Sequence, residues 1–201
     1  DEFKEELTKN NFRKKFKIEN KKKIISFLGR IHYIKGVDFL IKGFAYFLRK
    51  NNYDNKYILC LIGSDDGYLQ ETLKLIKNLE IQDYVKVIGF LSGKEKNEAL
   101  KDSDVVVQLS RLEQGAWAPI EAVLCETPII VTSNTGSGED VKKLNAGALV
   151  DFDDNEGFSN QLIEIFNNYD SWKIKTKKAR DYIFKNLSFD TRIKEYIELY
   201  K

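Results

Sequence analysis

The sequence predicts an α/β protein built on a doubly wound, mostly parallel sheet. Three observations predict it. Short apolar runs and helical patterns alternate five or six times along the 201 residues. The runs are continuously apolar rather than alternating, so the strands are buried on both faces and need helices on both sides. Most runs stop at a glycine or a small polar residue, the mark of a turn into the next element.

The elements follow in order. Ile24–Leu28 is the first buried strand, stopped by Gly29. Val37, Leu40, Ile41, Phe44, Phe47 and Leu48 recur every three or four residues and make one helical stripe. Tyr57–Ile62 is the second strand, ended by Gly63. A helix fits Tyr68–Leu79, with Leu69, Leu73, Ile76 and Leu79 on one face. Tyr84–Ile88 is the third strand, followed by a helix running to Leu100. Asp104–Leu109 is the fourth, Ala118–Cys125 a helix, and Pro128–Thr132 the fifth. A short helix is expected after Gly138, then a short sixth strand at Ala148–Asp151. Glu156–Tyr169, Ser171–Asn186 and Phe189–Tyr200 read as three closing helices that wrap the sheet.

Composition narrows the class. Hydrophobic residues are 42% and charged residues 32%, a soluble globular balance with no run approaching the ~20 residues that cross a bilayer. One histidine and two cysteines exclude a metal site built from several such ligands. Cys60 and Cys125, in apolar surroundings and without CxxC spacing, read as buried reduced thiols, which places the chain in the cytoplasm. The charged N-terminus is no signal peptide, and the absence of any Met reads as a processed piece or excised domain. Net charge is +2, yet residues 1–50 carry 14 basic and 6 acidic groups, or +8. That end is either a solvated lysine-rich face or faces phosphorylated ligands or an anionic membrane.

Ligands of such sheets sit at the carboxyl ends of strands, beside helix N-termini. After the first strand, Gly29-Arg30-Ile31-His32-Tyr33-Ile34-Lys35-Gly36 places an arginine fork and a lysine charge ahead of a helix. This is an anion-site pattern, although neither a Walker A loop nor GxGxxG. After the fourth strand, Glu113 stands in the loop and Glu121 eight residues on, inside the next helix. Gly115 and Ala116 are small enough for backbone N–H groups to approach a ligand. Glu121 stands among apolar residues, so it is either a solvent-side glutamate or a buried acceptor for sugar hydroxyls. Gly63-Ser64-Asp65-Asp66-Gly67, Gly89-Phe90-Leu91 and Ser133–Gly138 add small or polar loops on the same edge. Together they point to one large cleft.

From about Ile24 to Tyr200 these residues resemble the C-terminal, donor-binding domain of a retaining GT-B glycosyltransferase, glycosyltransferase family four, a Rossmann-like fold. The resemblance rests on Gly29, Arg30, Lys35 and Gly36, on Gly63, on Val87–Leu91, on Ser110…Glu113…Glu121, and on Pro128–Thr132 with Gly136 and Glu139. Two departures are Gln114 and Ala116, where the family favours glycine, and a third is Leu109, where it favours proline.

The resemblance implies roles. Arg30 and Lys35 hold the donor's diphosphate, with Gly29 and Gly63 beside it. Phe90 and Leu91 meet the base, and Glu121 takes the ribose hydroxyls. Glu113 is the catalytic group near the anomeric carbon, with Gly115, Ala116 and Trp117 lining the donor. No cofactor and no metal are implied, the nucleoside-diphosphate sugar being the donor substrate. The acceptor is a glycan, lipid-linked or other hydroxyl. Its binding domain, the N-terminal half of the same enzyme, is expected to be missing, so the chain alone should be weak or inactive. The expected organisation is a linker or N-terminal segment at 1–23, a nucleotide-sugar-binding domain at 24–186, and a C-terminal helix at 187–201. That helix packs on the domain or toward the missing half. The expected location is the cytoplasm or the cytoplasmic face of a membrane, with peripheral contact and no nucleic acid.

The alternative reading is a non-catalytic nucleotide-binding or regulatory module on the same fold. An epimerase is disfavoured because the one histidine, His32, sits by the first loop, and a phosphorylase because no lysine setting fits its cofactor. Aromatics at helical core spacing, not interleaved with the lysine runs, disfavour a nucleic-acid binder.

Overall fold

The computed structural model describes residues 3, 7–187 and 189–200. Strands β1 (Lys23–Leu28), β2 (Tyr57–Ile62), β3 (Val85–Gly89), β4 (Val105–Gln108), β5 (Ile129–Thr132) and β6 (Gly147–Val150) form one sheet. Their order is β3-β2-β1-β4-β5-β6, and every pairing is parallel. The helices are α1 (Asn11–Lys15), α2 (Val37–Lys50), α3 (Leu69–Asn78), α4 (Gly93–Asp102), α5 (Trp117–Leu124), α6 (Gly136–Leu144), α7 (Asn155–Asn167), α8 (Tyr169–Asn186) and α9 (Phe189–Leu199). Two 3₁₀ turns, Tyr33–Lys35 and Gln82–Tyr84, complete the elements among the described residues.

The strand period of two splits each apolar run between two cores. Ile25 and Phe27 of β1, Leu59 and Leu61 of β2, and Val105 and Val107 of β4 pack with α2 and α7 on one face. Ile24 and Leu28, Ile58 and Ile62, and Val106 pack with α4, α5 and α8 on the other. Phe27, Phe39, Phe44, Phe47 and Phe158 are fully buried in the first core, each contributing about 1.5–3 kcal/mol by burial. Cys60 and Cys125 lie buried and unbridged in the second, where burial pushes both thiols up to about 12.

The structure differs from the reading of the sequence at several element bounds, including the following three. Residues 11–15, inside the expected linker, are helical and packed on α4. The reason is a charge network. Asp102, at the end of α4, accepts from the backbone N–H groups of Asn10 (2.7 Å), Phe12 (3.1 Å) and Arg13 (3.3 Å). The buried Arg13 guanidinium donates to the carbonyls of Glu19, Lys22 and Asp102 and pairs with Asp104 at 3.4 Å. Residues 1, 2 and 4–6 of that expected linker, and Ser188 and Lys201 of the expected C-terminal helix, lie outside the described residues. Second, α6 starts at Gly136, because Thr135 caps it by accepting from Gly138 N–H at 3.0 Å. Third, β6 runs from Gly147 to Val150, one residue earlier than expected. Among the described residues no helix is long and apolar enough to cross a membrane.

Candidate functional site

The strand order reverses direction between β1 and β4, and the loops leaving these two strands frame a crevice at their carboxyl ends. The loop after β1 is pinned to the loop after β2. Gly29 N–H donates to Ile62 O (3.0 Å), and Ile31 N–H to Ser64 O (2.8 Å). Gly63 N–H in turn donates to Gly89 O at 2.9 Å, which brings in the end of β3. Gly63 has to be glycine, because a Cβ there would lie 1.8 Å from Gly29 O. Gly36 closes the β1 loop at φ +65°, where a side chain is strained, and a Cβ would lie 1.8 Å from Leu109 O. These glycines draw neighbouring loops together.

Gly29, Arg30, Gly63, Phe90, Leu91 and Glu121 line one cleft of about 260 Å³. Six of the residues expected to bind donor thus meet in one place. Ser64, from a loop the sequence placed on this edge, completes the wall with Leu28, Lys96 and Ala118, which were not legible in the sequence. Lys96 stands among Lys94 and Glu95 in the first turn of α4, and no pattern separates it from its neighbours. Phe90 is 71% exposed, a flat apolar face at the mouth of the cleft, whereas Leu91 is buried.

The charges of the site are arranged as three cation–carboxylate pairs. Arg30 pairs with Asp66, with both side chains substantially exposed. Lys96 reaches Glu121 at 2.6 Å, and both are mostly buried. Glu121 is therefore an inward-facing acid, not a solvent-side one. Lys35 pairs with Glu113 across the β1–β4 crevice, both nearly buried. Gln108 Nε2 approaches the same Glu113 carboxylate at 3.5 Å. Each of the three cations is thus already partly neutralised by a carboxylate. Asp65 plays a different part: its Oδ1 accepts from Gly67, Tyr68 and Leu69 N–H at 3.0–3.1 Å and orders the turn that leads into α3.

The remaining expected residues lie outside that cleft. Lys35 and Glu113 meet each other across the β1 and β4 loops. Gly115 has open space around its Cα, and Ala116 N–H donates to Ser137 Oγ at 3.1 Å. Trp117 is 81% exposed and lines a separate cleft of about 520 Å³ with Ile120, Leu144 and Tyr182. Among the described residues, no group of three or more His, Cys, Asp or Glu is placed to hold a metal ion.

Comparisons with known proteins bear on this geometry. The family model for glycosyl transferases group 1 matches residues 8–183. N-acetyl-alpha-D-glucosaminyl L-malate synthase of Bacillus anthracis is 26% identical over 200 residues, covering 98% of this chain and 50% of that protein. An uncharacterized glycosyltransferase of Methanocaldococcus jannaschii is 26% identical over 193 residues, covering 96% and 48%. The chain spans about half the length of these curated relatives. Anabaena HepE, solved in complex with UDP, superposes with a TM-score of 0.82 at 18% identity, over 94% of this chain and 51% of that one. The C-terminal domain of the Francisella tularensis group 1 glycosyl transferase LpcC gives 0.72 at 16% identity, over 91% and 96%. At such identities the two structures speak for the fold, which is the Rossmann-like fold of GT-B enzymes.

Proposed function

The chain belongs to the group 1 glycosyl transferases, and on that premise we propose that it is the C-terminal, donor-binding half of a retaining GT-B enzyme of glycosyltransferase family four. One observation carries the reading. One cleft beside the strand-order switch is lined by an arginine, two glycine turns, a mostly buried glutamate and the exposed ring of Phe90. A nucleoside diphosphate has parts that suit these groups: an anion for the arginine, a pentose for the glutamate and a base for the ring. HepE, of the same fold, is described with UDP, which supports a nucleotide in this place.

In this reading the Arg30 guanidinium and the Lys35 ammonium neutralise the diphosphate. They matter most as the bond between the anomeric carbon and the diphosphate oxygen breaks and negative charge gathers on the leaving group. Fixed donors aimed at developing charge are worth about 3 kcal/mol each. These two cations do without a divalent metal. Glu121 accepts from the ribose hydroxyls. Glu113, released from Lys35 when the diphosphate takes its place, accepts from donor-sugar hydroxyls near the anomeric carbon. The hexosyl group passes to a hydroxyl of a glycan, lipid-linked or other acceptor held by an N-terminal half. The unit at residues 24–186 binds donor. Helix α9 leads toward the other half, supported by its exposed Phe189, Ile193 and Ile197 at four-residue spacing. Work at the cytoplasmic face of a membrane suits that acceptor class.

Calorimetric titration with UDP, GDP and ADP tests the reading. Binding of one of them is expected, with Arg30→Ala and Lys35→Ala each weakening the diphosphate about tenfold or more while sparing the bare nucleoside. No heat from any of the three at protein concentrations that detect sub-millimolar binding would remove it. Equal losses for diphosphate and nucleoside would remove the phosphate role.

A further inference from the structure

The loops carrying Lys35 and Glu113 are held together by a residue that touches neither the cleft nor those two side chains. Arg111 lies between Ser110 and Leu112 in the loop after β4. Its backbone N–H donates to Ile34 O at 2.8 Å, and its Nη1 to Tyr33 O at 2.6 Å, so it grips the 3₁₀ turn that ends in Lys35. The same guanidinium makes a two-pronged contact with Asp38 in the first turn of α2, at 2.6 Å and 2.5 Å. Two aromatic rings lie against the guanidinium. The Tyr33 ring lies 3.7 Å away and the Phe152 ring, just past β6, 4.8 Å away. Burial works against the Asp38 carboxylate, but the Arg111 fork outweighs it and holds its pKa below the ordinary value.

We propose that Arg111 is a positioning residue for the candidate site: it locks the turn bearing Lys35 against the loop bearing Glu113, so that the two meet across the crevice. The role needs an arginine. Only a planar fork satisfies Asp38 twice and Tyr33 O while lying over aromatic rings, and a lysine carries the charge without that geometry. A surface ion pair would serve solubility alone, but these side chains are 21% and 13% exposed and three loops converge on them. The proposal rests on the diphosphate role given to Lys35 above, and its test has one arm that does not.

The first arm is hydrogen exchange of the chain, wild type against Arg111→Lys and Asp38→Asn. Faster exchange by about tenfold is expected in residues 31–38 and 109–116, with the strands of the core unchanged. Unchanged exchange in those two segments overturns the proposal whatever the nucleotide results. The second arm titrates UDP and uridine into wild type, Arg111→Lys, Lys35→Ala and the double variant. Arg111→Lys should weaken UDP about fivefold, spare uridine, and add nothing once Lys35 is gone. Additive losses in the double variant overturn the proposal. Faster exchange in the variants, together with a wild type that binds no nucleotide, supports the lock and removes the nucleotide reading instead.

Discussion

Asp66→Asn should tighten the binding of a nucleoside diphosphate. The Asp66 carboxylate occupies the Arg30 guanidinium, the group assigned to the diphosphate. An arriving phosphate oxygen needs the same N–H donors, so it has to displace Asp66 first. The side chains are 62% and 40% exposed. Their pair therefore ranks with surface ion pairs, at about 0.2–1 kcal/mol. Removing the competitor returns that energy to the binding step, which lowers the Kd for UDP about 1.4- to 5-fold. Losing one negative charge beside a multiply charged anion acts in the same direction. Uridine, with no phosphate, should bind both forms equally. Calorimetric titration of both ligands into both proteins reads the difference. Repeating it at about 1 M salt, where the Debye length is about 3 Å, should shrink the gain. UDP affinity that is unchanged or lower in Asp66→Asn, or an equal gain for uridine, would refute the competition.

Two further outcomes concern stability. Arg13→Ala removes a side chain only 10% exposed from Asp104 and from three backbone carbonyls, and should cost about 3 kcal/mol in urea denaturation. Lys15→Ala, which breaks an exposed pair with Glu95, should cost at most about 1 kcal/mol, and equal losses would contradict the anchoring of α1. Burial, with Lys101 adding repulsion, pushes the Lys173 ammonium from 10.5 down to about 8. Between those pH values the unfolded chain binds more protons than the folded one. Wild type should therefore gain stability relative to Lys173→Met as pH rises from about 8 to about 10.5. Parallel melting curves across that range would expose the reasoning as wrong.

Much of the fold was legible in local pattern. Tyr57–Ile62 is one apolar run because both of its faces are covered, and its boundaries match the strand to the residue. The stripe from Val37 to Leu48 is likewise the buried face of α2. Alternation of such runs with amphipathic segments leaves few arrangements other than a parallel sheet between two helical layers. Helix α1 was missed because five residues carry too little periodicity to register. It persists through hydrogen bonds to Asp102, about ninety positions away. Of the site, the strand-end loops announced Gly29, Arg30, Gly63, Phe90 and Leu91, since glycine and charge after a buried run have a local physical meaning.

The sequence by itself determined the layers, the strand ends and the edge on which ligands gather, because burial and backbone geometry repeat over short spans. Only the tertiary structure decided which charges face one another. It joined Lys35 to Glu113, Arg30 to Asp66, Lys96 to Glu121 and Arg111 to Asp38, and it turned Trp117 toward a different cleft. The reason is range. Hydrophobic periodicity is a property of neighbours along the chain, whereas an ion pair depends on where two loops from distant strands come to rest.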